Sequence, residues 1–292
     1  MQANTLSGHG AMLLFSALVA GSFSLGGITA NMIDPGALMA MRLIIAAIVI
    51  GFLVWRGPGL KRVWAVAPWR YLILGSLFSV YFVLMFESLK TAKPVPIAAI
   101  FTLTPFLAAG FGWLFLRQVM TPRMMLALCI GAVGAVWMIF RADIKALLVF
   151  EVGRGEAIFF IGCIAHALYI PLARKMNRGE PHLVFAFFTL MSGALGLCIF
   201  AAPEIVATDW LSLPSIVWFT ILYLSLATSA LTLFLLQYAT MHLPSAKVMA
   251  YTYLTPAWVI MLEGLLGHGW PIPMVLVGCG LVATSLLLLL KE

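Results

Sequence analysis

Ten apolar runs, each long enough to form a membrane-crossing helix, follow one another along the chain. They lie near residues 10–30, 35–55, 71–89, 95–116, 123–141, 154–173, 183–202, 214–236, 245–266 and 272–290. A bilayer core about 30 Å thick requires about 20 residues of helix, and backbone polar groups in lipid must be satisfied inside helices or closed barrels. The alternation of apolar and polar residues that marks a barrel strand is absent. The pattern therefore predicts an all-α polytopic membrane protein with ten transmembrane helices, called spans 1–10 below.

Spans 4 and 9 repeat one another. Leu103-Thr104-Pro105 in span 4 recurs 151 residues later as Leu254-Thr255-Pro256, and Pro122 is matched by Pro273 at the same offset. Matching prolines inside two apolar helices, one in each half, are typical of a duplicated transporter. Because each half holds an odd number of spans, the second half must enter the membrane in the opposite direction. We therefore predict two inverted five-helix repeats, residues 1–146 and 147–292, within one membrane domain.

Composition and charge agree with a membrane protein. Hydrophobic residues make up 63% of the chain and charged residues 9%, whereas a soluble domain carries about 25% charged residues. The net charge of +7 comes from Lys and Arg in short segments between the apolar runs, which is a topology signal and does not indicate nucleic-acid binding. With the N-terminus inside, 11 of these basic residues lie on the cytoplasmic side and 5 on the other. This bias predicts a multi-pass protein of the bacterial inner (plasma) membrane with both termini in the cytoplasm.

No residue pattern indicates a metal, a cofactor or catalysis. The four cysteines lie inside apolar runs without a C-x-x-C spacing, and no two histidines stand four residues apart. An ATP-binding motif is absent as well, so gradients of solute or protons are the available driving forces. An integral-membrane enzyme acting on lipids is the alternative from another class. It would need paired carboxylates or histidines at one membrane face, and none has a workable spacing.

Several short motifs, taken together in their order, resemble a known family. They are Pro35-x-Ala37-Leu38 followed by Arg42, the two Thr-Pro pairs, and Gly155-Glu156 followed by His166-Ala167-Leu168-Tyr169 and Arg174-Lys175. Over nearly the whole chain they resemble the drug/metabolite transporter superfamily, in its ten-span EamA-type branch. The chain is similar, more weakly, to the bacterial aromatic amino-acid exporters within that branch.

This chain departs from the family pattern at three places. The family usually has Gly-Glu after spans 4 and 9, where this chain has Leu116-Arg117 and Gly267-His268. It also commonly has Trp at the position of His166. The roles of the family residues at these three places are therefore not transferred to this chain.

The proline pair suggests a hinge. Pro105 and Pro256 each remove a helix hydrogen bond near mid-membrane and loosen the helix there. One interpretation is a purely structural kink; the other is that spans 4 and 9 line the transport path and hinge during exchange. Thr104 and Thr255 either hydrogen-bond a substrate or bond back to their own helices.

His166 and Arg42 are ionisable residues within spans. An intramembrane ionisable group is a functional hypothesis by default. His166 is expected to take part in a pH-sensitive step, to bind a polar group of the substrate, or to bond a neighbouring helix. Arg42 and Glu87 have similar predicted depths, so we expect a structural ion pair between spans 2 and 3. Glu263 has no evident partner in the sequence.

Deep aromatic residues complete the predicted substrate site. Tyrosine hydroxyls inside a span require partners, so a cavity wall is one interpretation and packed or lipid-facing side chains are the other. The predicted substrate-binding set is Tyr81, Phe101, Thr104, His166, Tyr169, Tyr251, Thr255 and Trp258.

The midplane carries few fixed charges, which argues against phosphate esters and nucleotide sugars. Together with the resemblance, this predicts a secondary transporter that exports small neutral or zwitterionic metabolites by alternating access at a midplane cavity. Amino acids, aromatic and other apolar ones, are the favoured substrate. Drugs or other metabolites remain the alternative within the same fold, and proton coupling, facilitated diffusion and the oligomeric state are left open.

Overall fold

The computed structural model describes residues 2–140, 143, 145, 152–270 and 272–290, and every regular element in these ranges is a helix. Within these ranges seven helices are long and apolar enough to cross a membrane, and two shorter apolar helices cover Pro122–Met138 and Pro273–Leu289. A tenth, broken segment runs from Ser245 to Leu265. The prediction of ten helical spans is therefore confirmed.

The helix bounds follow the predicted runs closely. Spans 1–5 are Gln2–Thr29, Pro35–Arg56, Trp69–Leu89, Pro94–Phe101 with Thr104–Leu116, and Pro122–Ile139. Spans 6–8 are Arg154–Met176, His182–Phe200 and the continuous series Ser215–Ser225, Leu226–Leu231 and Thr232–His242. Span 9 comprises Ser245–Ala250, Tyr251–Leu254 and Thr255–Leu265, and span 10 is Pro273–Leu290. Prolines at the first or second position open spans 2, 4 and 5, where a missing N–H costs nothing.

Spans 4 and 9 are each interrupted at the Thr-Pro pair. In span 4 the α-helix ends at Phe101 and restarts at Thr104, so that Pro105 occupies the first turn of the second helix. In span 9 a 3₁₀ turn, Tyr251–Leu254, precedes the restart at Thr255. Proline is tolerated in a first turn because its missing donor would be unpaired there anyway. The predicted mid-span irregularities are thus interruptions of the α-helical hydrogen bonding at each Thr-Pro pair, and both prolines are buried within the bundle.

The contacts between spans are symmetric: exchanging the two halves of the chain gives the same pattern of packing. In this exchange spans 1–5 correspond to spans 6–10. The contact between spans 3 and 6 therefore has its counterpart in the contact between spans 8 and 1. Spans 5 and 10 are in contact, and so are spans 2 and 7, and each of these two pairs is its own counterpart. The first helix of span 4 packs on the last helix of span 9, and the first helix of span 9 packs on the second helix of span 4. Spans 4 and 9 therefore cross antiparallel at their breaks, as two inverted five-helix repeats require.

The predicted boundary between residues 146 and 147 lies outside the described residues, as do Arg141 and Lys291 of the charge count.

Span 8 is longer than its counterpart, span 3. Pro35 and Pro181 are 146 residues apart, as are Pro68 and Pro214, but the offset has grown to 151 at spans 4 and 9. The extra residues fall in span 8, which includes a π-helical segment at Leu226–Leu231 and ends at His242, beyond the predicted residue 236. π-Helical segments are uncommon and occur frequently at functional sites.

Spans 5 and 10 approach each other closely at two glycines. A Cβ atom at Gly134 would lie 2.9 Å from the backbone oxygen of Gly278, and one at Gly278 would lie 2.9 Å from that of Gly134. We expect Gly134→Ala to lower the free energy of unfolding by about 1–3 kcal/mol, because backbone must move to relieve the overlap. SDS-induced unfolding in mixed micelles measures this change.

Gly110 provides the matched control, because nothing lies within 4 Å of the position of its Cβ atom. Gly110→Ala should leave stability unchanged or raise it, since alanine is the better helix former. Equal effects of the two substitutions would contradict close packing between spans 5 and 10.

Candidate functional site

Aromatic side chains from four spans meet at the centre of the bundle. The central aromatic cluster comprises Phe23 of span 1, Tyr81 of span 3, Phe101 of span 4, and Phe159 and His166 of span 6. The rings of Tyr81 and His166 are stacked with centroids 4.3 Å apart. The ring of Phe101 lies 5.7 Å from that of Tyr81 and 5.5 Å from that of His166. All five side chains are buried. Three predicted site residues, Tyr81, Phe101 and His166, are thus brought together.

Two polar groups of the central aromatic cluster have no hydrogen-bond partner in the described chain. They are the Tyr81 hydroxyl and both ring nitrogens of His166, which is only 2% exposed. Buried polar atoms are nearly always hydrogen-bonded, and an imidazole can make two such bonds. The structural alternative for His166, a hydrogen bond to a neighbouring helix, is therefore not found among the described residues. These groups therefore offer unused hydrogen-bonding capacity at mid-membrane.

Arg42 lies beside this cluster and makes different contacts from those predicted. Its guanidinium lies 3.6 Å above the ring of Phe82, the residue after Tyr81. It donates to Ser229 Oγ at 2.5 Å and to the carbonyl and hydroxyl oxygens of Thr228 at 2.6 and 3.0 Å.

The predicted ion pair between Arg42 and Glu87 is therefore wrong. Glu87 instead accepts from Lys90 at 2.7 Å, one turn away on the surface. The prediction rests on the similar depths of the two residues in the membrane. The Arg42 side chain, however, contacts span 8 inside the bundle, whereas Glu87 lies near the end of span 3.

Ser229 and Thr228 reach Arg42 because span 8 is π-helical there. The wider turn of a π-segment shifts backbone carbonyls out of the regular helical ladder, and the Thr228 carbonyl accepts a hydrogen bond from the guanidinium. Sequence reasoning missed both residues. The change of repeat offset within span 8 is the signal that could have found them.

The two helix breaks meet in a small polar group. The Thr104 hydroxyl bonds back to the Phe101 carbonyl and lies 3.3 Å from the Thr252 hydroxyl across the spans. Thr255 is fully buried, and its hydroxyl has no partner in the described chain. The repeat explains this asymmetry: the counterpart of Thr252 is Phe101, which has no hydroxyl to offer Thr255.

The other predicted site residues are engaged with neighbouring spans. Tyr169 accepts from Gln237 Nε2 at 3.1 Å, and Trp258 Nε1 donates to Ser16 Oγ at 3.3 Å. The Tyr251 hydroxyl bonds His9 Nδ1 at 3.0 Å, near the bundle end at which span 1 begins, called the N-side here. Tyr251 therefore does not contact the central aromatic cluster.

The two ends of the bundle differ. At the N-side, hydrogen bonds join span 1 to spans 8 and 9, from Ser7 to Tyr238 at 2.7 Å and from His9 to Tyr251. At the opposite end two adjoining cavities of about 320 and 390 Å³ share Lys93 and His268 in their walls. His268 pairs there with Glu263 at 2.9 Å, which supplies the partner that the sequence did not reveal.

A buried ion pair holds the N-side ends of spans 3, 6 and 7. Arg70 pairs with Glu180 at 2.8 Å, and their side chains are 1% and 2% exposed. Arg70 also donates to the Met176 carbonyl, and Glu180 accepts from the backbone N–H of Arg178 at 2.6 Å. Burial raises the pKa of Glu180, but these hydrogen bonds and the charge of Arg70 outweigh it, so the pKa lies below its usual value.

Known proteins are similar to this chain in sequence or in fold. A transporter of Bacillus subtilis (strain 168) named YyaM, described as uncharacterized, is 25% identical over 261 residues, which cover 88% of this chain and 85% of that protein. A solved crystal structure superposes with a TM-score of 0.74 at 19% identity, covering 99% of this chain and 96% of the other, and so shows the same fold.

The EamA-like transporter family matches twice, over residues 6–140 and 153–291, which are the two halves of the bundle. The chain belongs to the EamA-like transporter family.

Proposed function

We propose that this membrane transporter exports small neutral or zwitterionic metabolites, amino acids with aromatic or other apolar side chains in particular, by alternating access between its two repeats. The substrate site is the central aromatic cluster. The observation that carries the proposal is the pair of polar groups, on Tyr81 and His166, that are buried at mid-membrane without a partner among the described residues. Such groups cost free energy unless a ligand or water satisfies them.

The chemistry of the cluster suits the proposed substrates. Stacked aromatic rings favour a flat apolar body, while the imidazole and the phenol hydroxyl supply hydrogen bonds to a polar end. Ligand sites with mostly apolar walls and a few placed polar groups are typical of small-molecule recognition.

The fold provides a means of alternating access. The breaks of spans 4 and 9 cross at the same level, with Thr104 and Thr252 in contact there. Broken helices at a repeat interface mark the substrate site of inverted-repeat transporters, and rocking of one repeat against the other exposes that site alternately. Pro105 and Pro256 are the proposed hinges, since each lies at a restart of its helix.

The proposed location is the bacterial inner membrane, with the N-side and both termini in the cytoplasm. The greater number of basic residues at the N-side supports this orientation. In that orientation the contacts from Ser7 and His9 close the cytoplasmic side, and the two cavities beside Lys93 face outward.

Counterflow into liposomes reconstituted with the pure protein tests the proposal. Vesicles loaded with unlabelled phenylalanine should accumulate radiolabelled phenylalanine, and loaded leucine should support the same exchange, whereas protein-free vesicles should not. If labelled phenylalanine accumulates only when a pH gradient is imposed, transport is coupled to protons. If accumulation is the same with and without a pH gradient, transport is facilitated diffusion. Exchange of cationic drugs or sugars with none of amino acids would overturn the proposed substrate class.

A further inference from the structure

Arg42 has an incompletely used guanidinium. The group carries five N–H donors in a planar fork. The Nε donor is occupied by Ser229 and the Nη2 donors by Thr228. Among the described residues Nη1 has only Met39 Sδ at 3.6 Å, a weak thioether acceptor. Arg42 is 0% exposed and is the eighth of the 22 residues of span 2. One edge of the fork therefore lacks a strong acceptor.

Arg42 also has no carboxylate partner within the described part of the chain. Buried charges are ordinarily paired, because the desolvation cost is otherwise too large. The three ion pairs among the described residues join Arg70 to Glu180, Lys90 to Glu87 and His268 to Glu263, and none includes Arg42. Ser229, Thr228 and the face of Phe82 are neutral, so they stabilise the cation only in part.

The repeat does not require an arginine at this position. Arg42 is the seventh residue after Pro35, which opens span 2, and the seventh after Pro181 in span 7 is Phe188. An apolar residue thus occupies the corresponding position of the other half. The arginine is therefore present in only one of the two repeats. It contacts the π-helical segment of span 8.

We propose that the free Nη1 edge of Arg42 binds the carboxylate of the transported solute. This inference rests on the proposed function and deepens it: the solute is recognised by a single carboxylate on an apolar or aromatic body, as in a zwitterionic amino acid. Ser229 and Thr228 hold the fork in place with Nη1 available, and carboxylates are the preferred ligands of such a fork. Phe82 connects the two parts of the site, because its ring lies under the guanidinium and 4.6 Å from the ring of Tyr81, which stacks on His166.

Matched pairs of carboxylate and amide test the inference on the purified wild-type protein. The pairs are 3-phenylpropionate with 3-phenylpropionamide, hexanoate with hexanamide, and phenylalanine with phenylalaninamide, and binding is measured by calorimetry and thermal shift. Each carboxylate should bind about tenfold or more tightly than its amide, since a charge-assisted hydrogen bond is lost in the amide. If no carboxylate binds more tightly than its amide, the inference is wrong.

Two variants assign the preference to Arg42. Arg42→Gln should bind carboxylate and amide equally, and Arg42→Lys should recover part of the preference because it keeps the charge but not the fork. Arg56→Gln, which removes an exposed cation from the same span, should keep the full preference. A preference that survives in a folded Arg42→Gln protein would also overturn the inference, and if that variant does not fold, the wild-type panel decides alone.

The outcomes separate this inference from the proposed function. Arg42-dependent binding of 3-phenylpropionate or hexanoate, without binding or exchange of any amino acid, would support the carboxylate site and reject amino acids as substrates. Exchange of amino acids, together with equal binding of phenylalanine and phenylalaninamide, would support the proposed function and reject the carboxylate site.

Discussion

Replacing His166 by alanine is expected to lower the rate of phenylalanine counterflow about tenfold or more. The substitution removes the ring that stacks on Tyr81 and both of the unpartnered nitrogens. A hydrogen bond to a charged solute group contributes about 1.5–3 kcal/mol, which corresponds to about a tenfold or larger change in binding. The measurement is the initial rate of exchange at substrate concentrations below saturation.

Two controls distinguish a binding role from a packing role. His166→Gln keeps a hydrogen-bonding side chain without the aromatic ring, so it should recover part of the lost rate, whereas His166→Leu should not. Thermal unfolding in detergent should change little in His166→Gln, because no protein hydrogen bond is lost. Full transport by folded His166→Leu would remove this residue from the substrate site.

Glu180→Ala is expected to lower the free energy of unfolding by about 3 kcal/mol or more. The substitution leaves the Arg70 guanidinium buried without its charge partner, and breaking a buried pair in this way typically costs about 3–5 kcal/mol. The loss should appear in SDS-induced unfolding. In a double-mutant cycle with Arg70→Met, the double variant should be more stable than the sum of the single effects predicts. Strict additivity would contradict the pairing.

The same pair predicts a dependence of stability on pH. Because the folded-state pKa of Glu180 lies below its unfolded value, its contribution is fully present above the unfolded pKa and is lost as the pH falls through the folded pKa. Stability should therefore fall on acidification below about pH 4.5, and Glu180→Gln should have a flatter profile there. Identical profiles for wild type and Glu180→Gln would contradict the lowered pKa.

Much of the fold follows from local patterns in the chain. Apolar run lengths predict the ten spans because lipid imposes a fixed helix length, and the Thr104-Pro105 and Thr255-Pro256 pairs predict where spans 4 and 9 break. The end of span 8 was misplaced because Gln237, Tyr238 and Thr240 end the apolar run. The helix continues through them, since Gln237 is buried against Tyr169 of span 6. A hydropathy pattern cannot distinguish a polar residue that faces another helix from one that faces water.

The candidate site could be predicted only in part. Ring size and depth identified Tyr81, Phe101 and His166, which do meet at the centre. Depth does not tell which way a side chain points around its helix, and for that reason Arg42 was paired with Glu87. The residue type of Ser229 does not identify it either, because small hydroxyl residues are common in membrane helices. Its role depends on the π-segment of span 8, to which only the change of repeat offset points.

Cysteine accessibility at the crossing of spans 4 and 9 tests the central alternating site most directly. In a protein with its four native cysteines replaced, Thr255→Cys places a thiol at the restart of span 9, and Leu195→Cys places one on the exposed surface of span 7. In oriented vesicles a membrane-impermeant thiol reagent should modify the cysteine at position 255 from either side, with protection by substrate, and should not modify the one at 195. Modification of position 255 from neither side, or from one side regardless of substrate, would contradict a site that opens alternately between the two repeats.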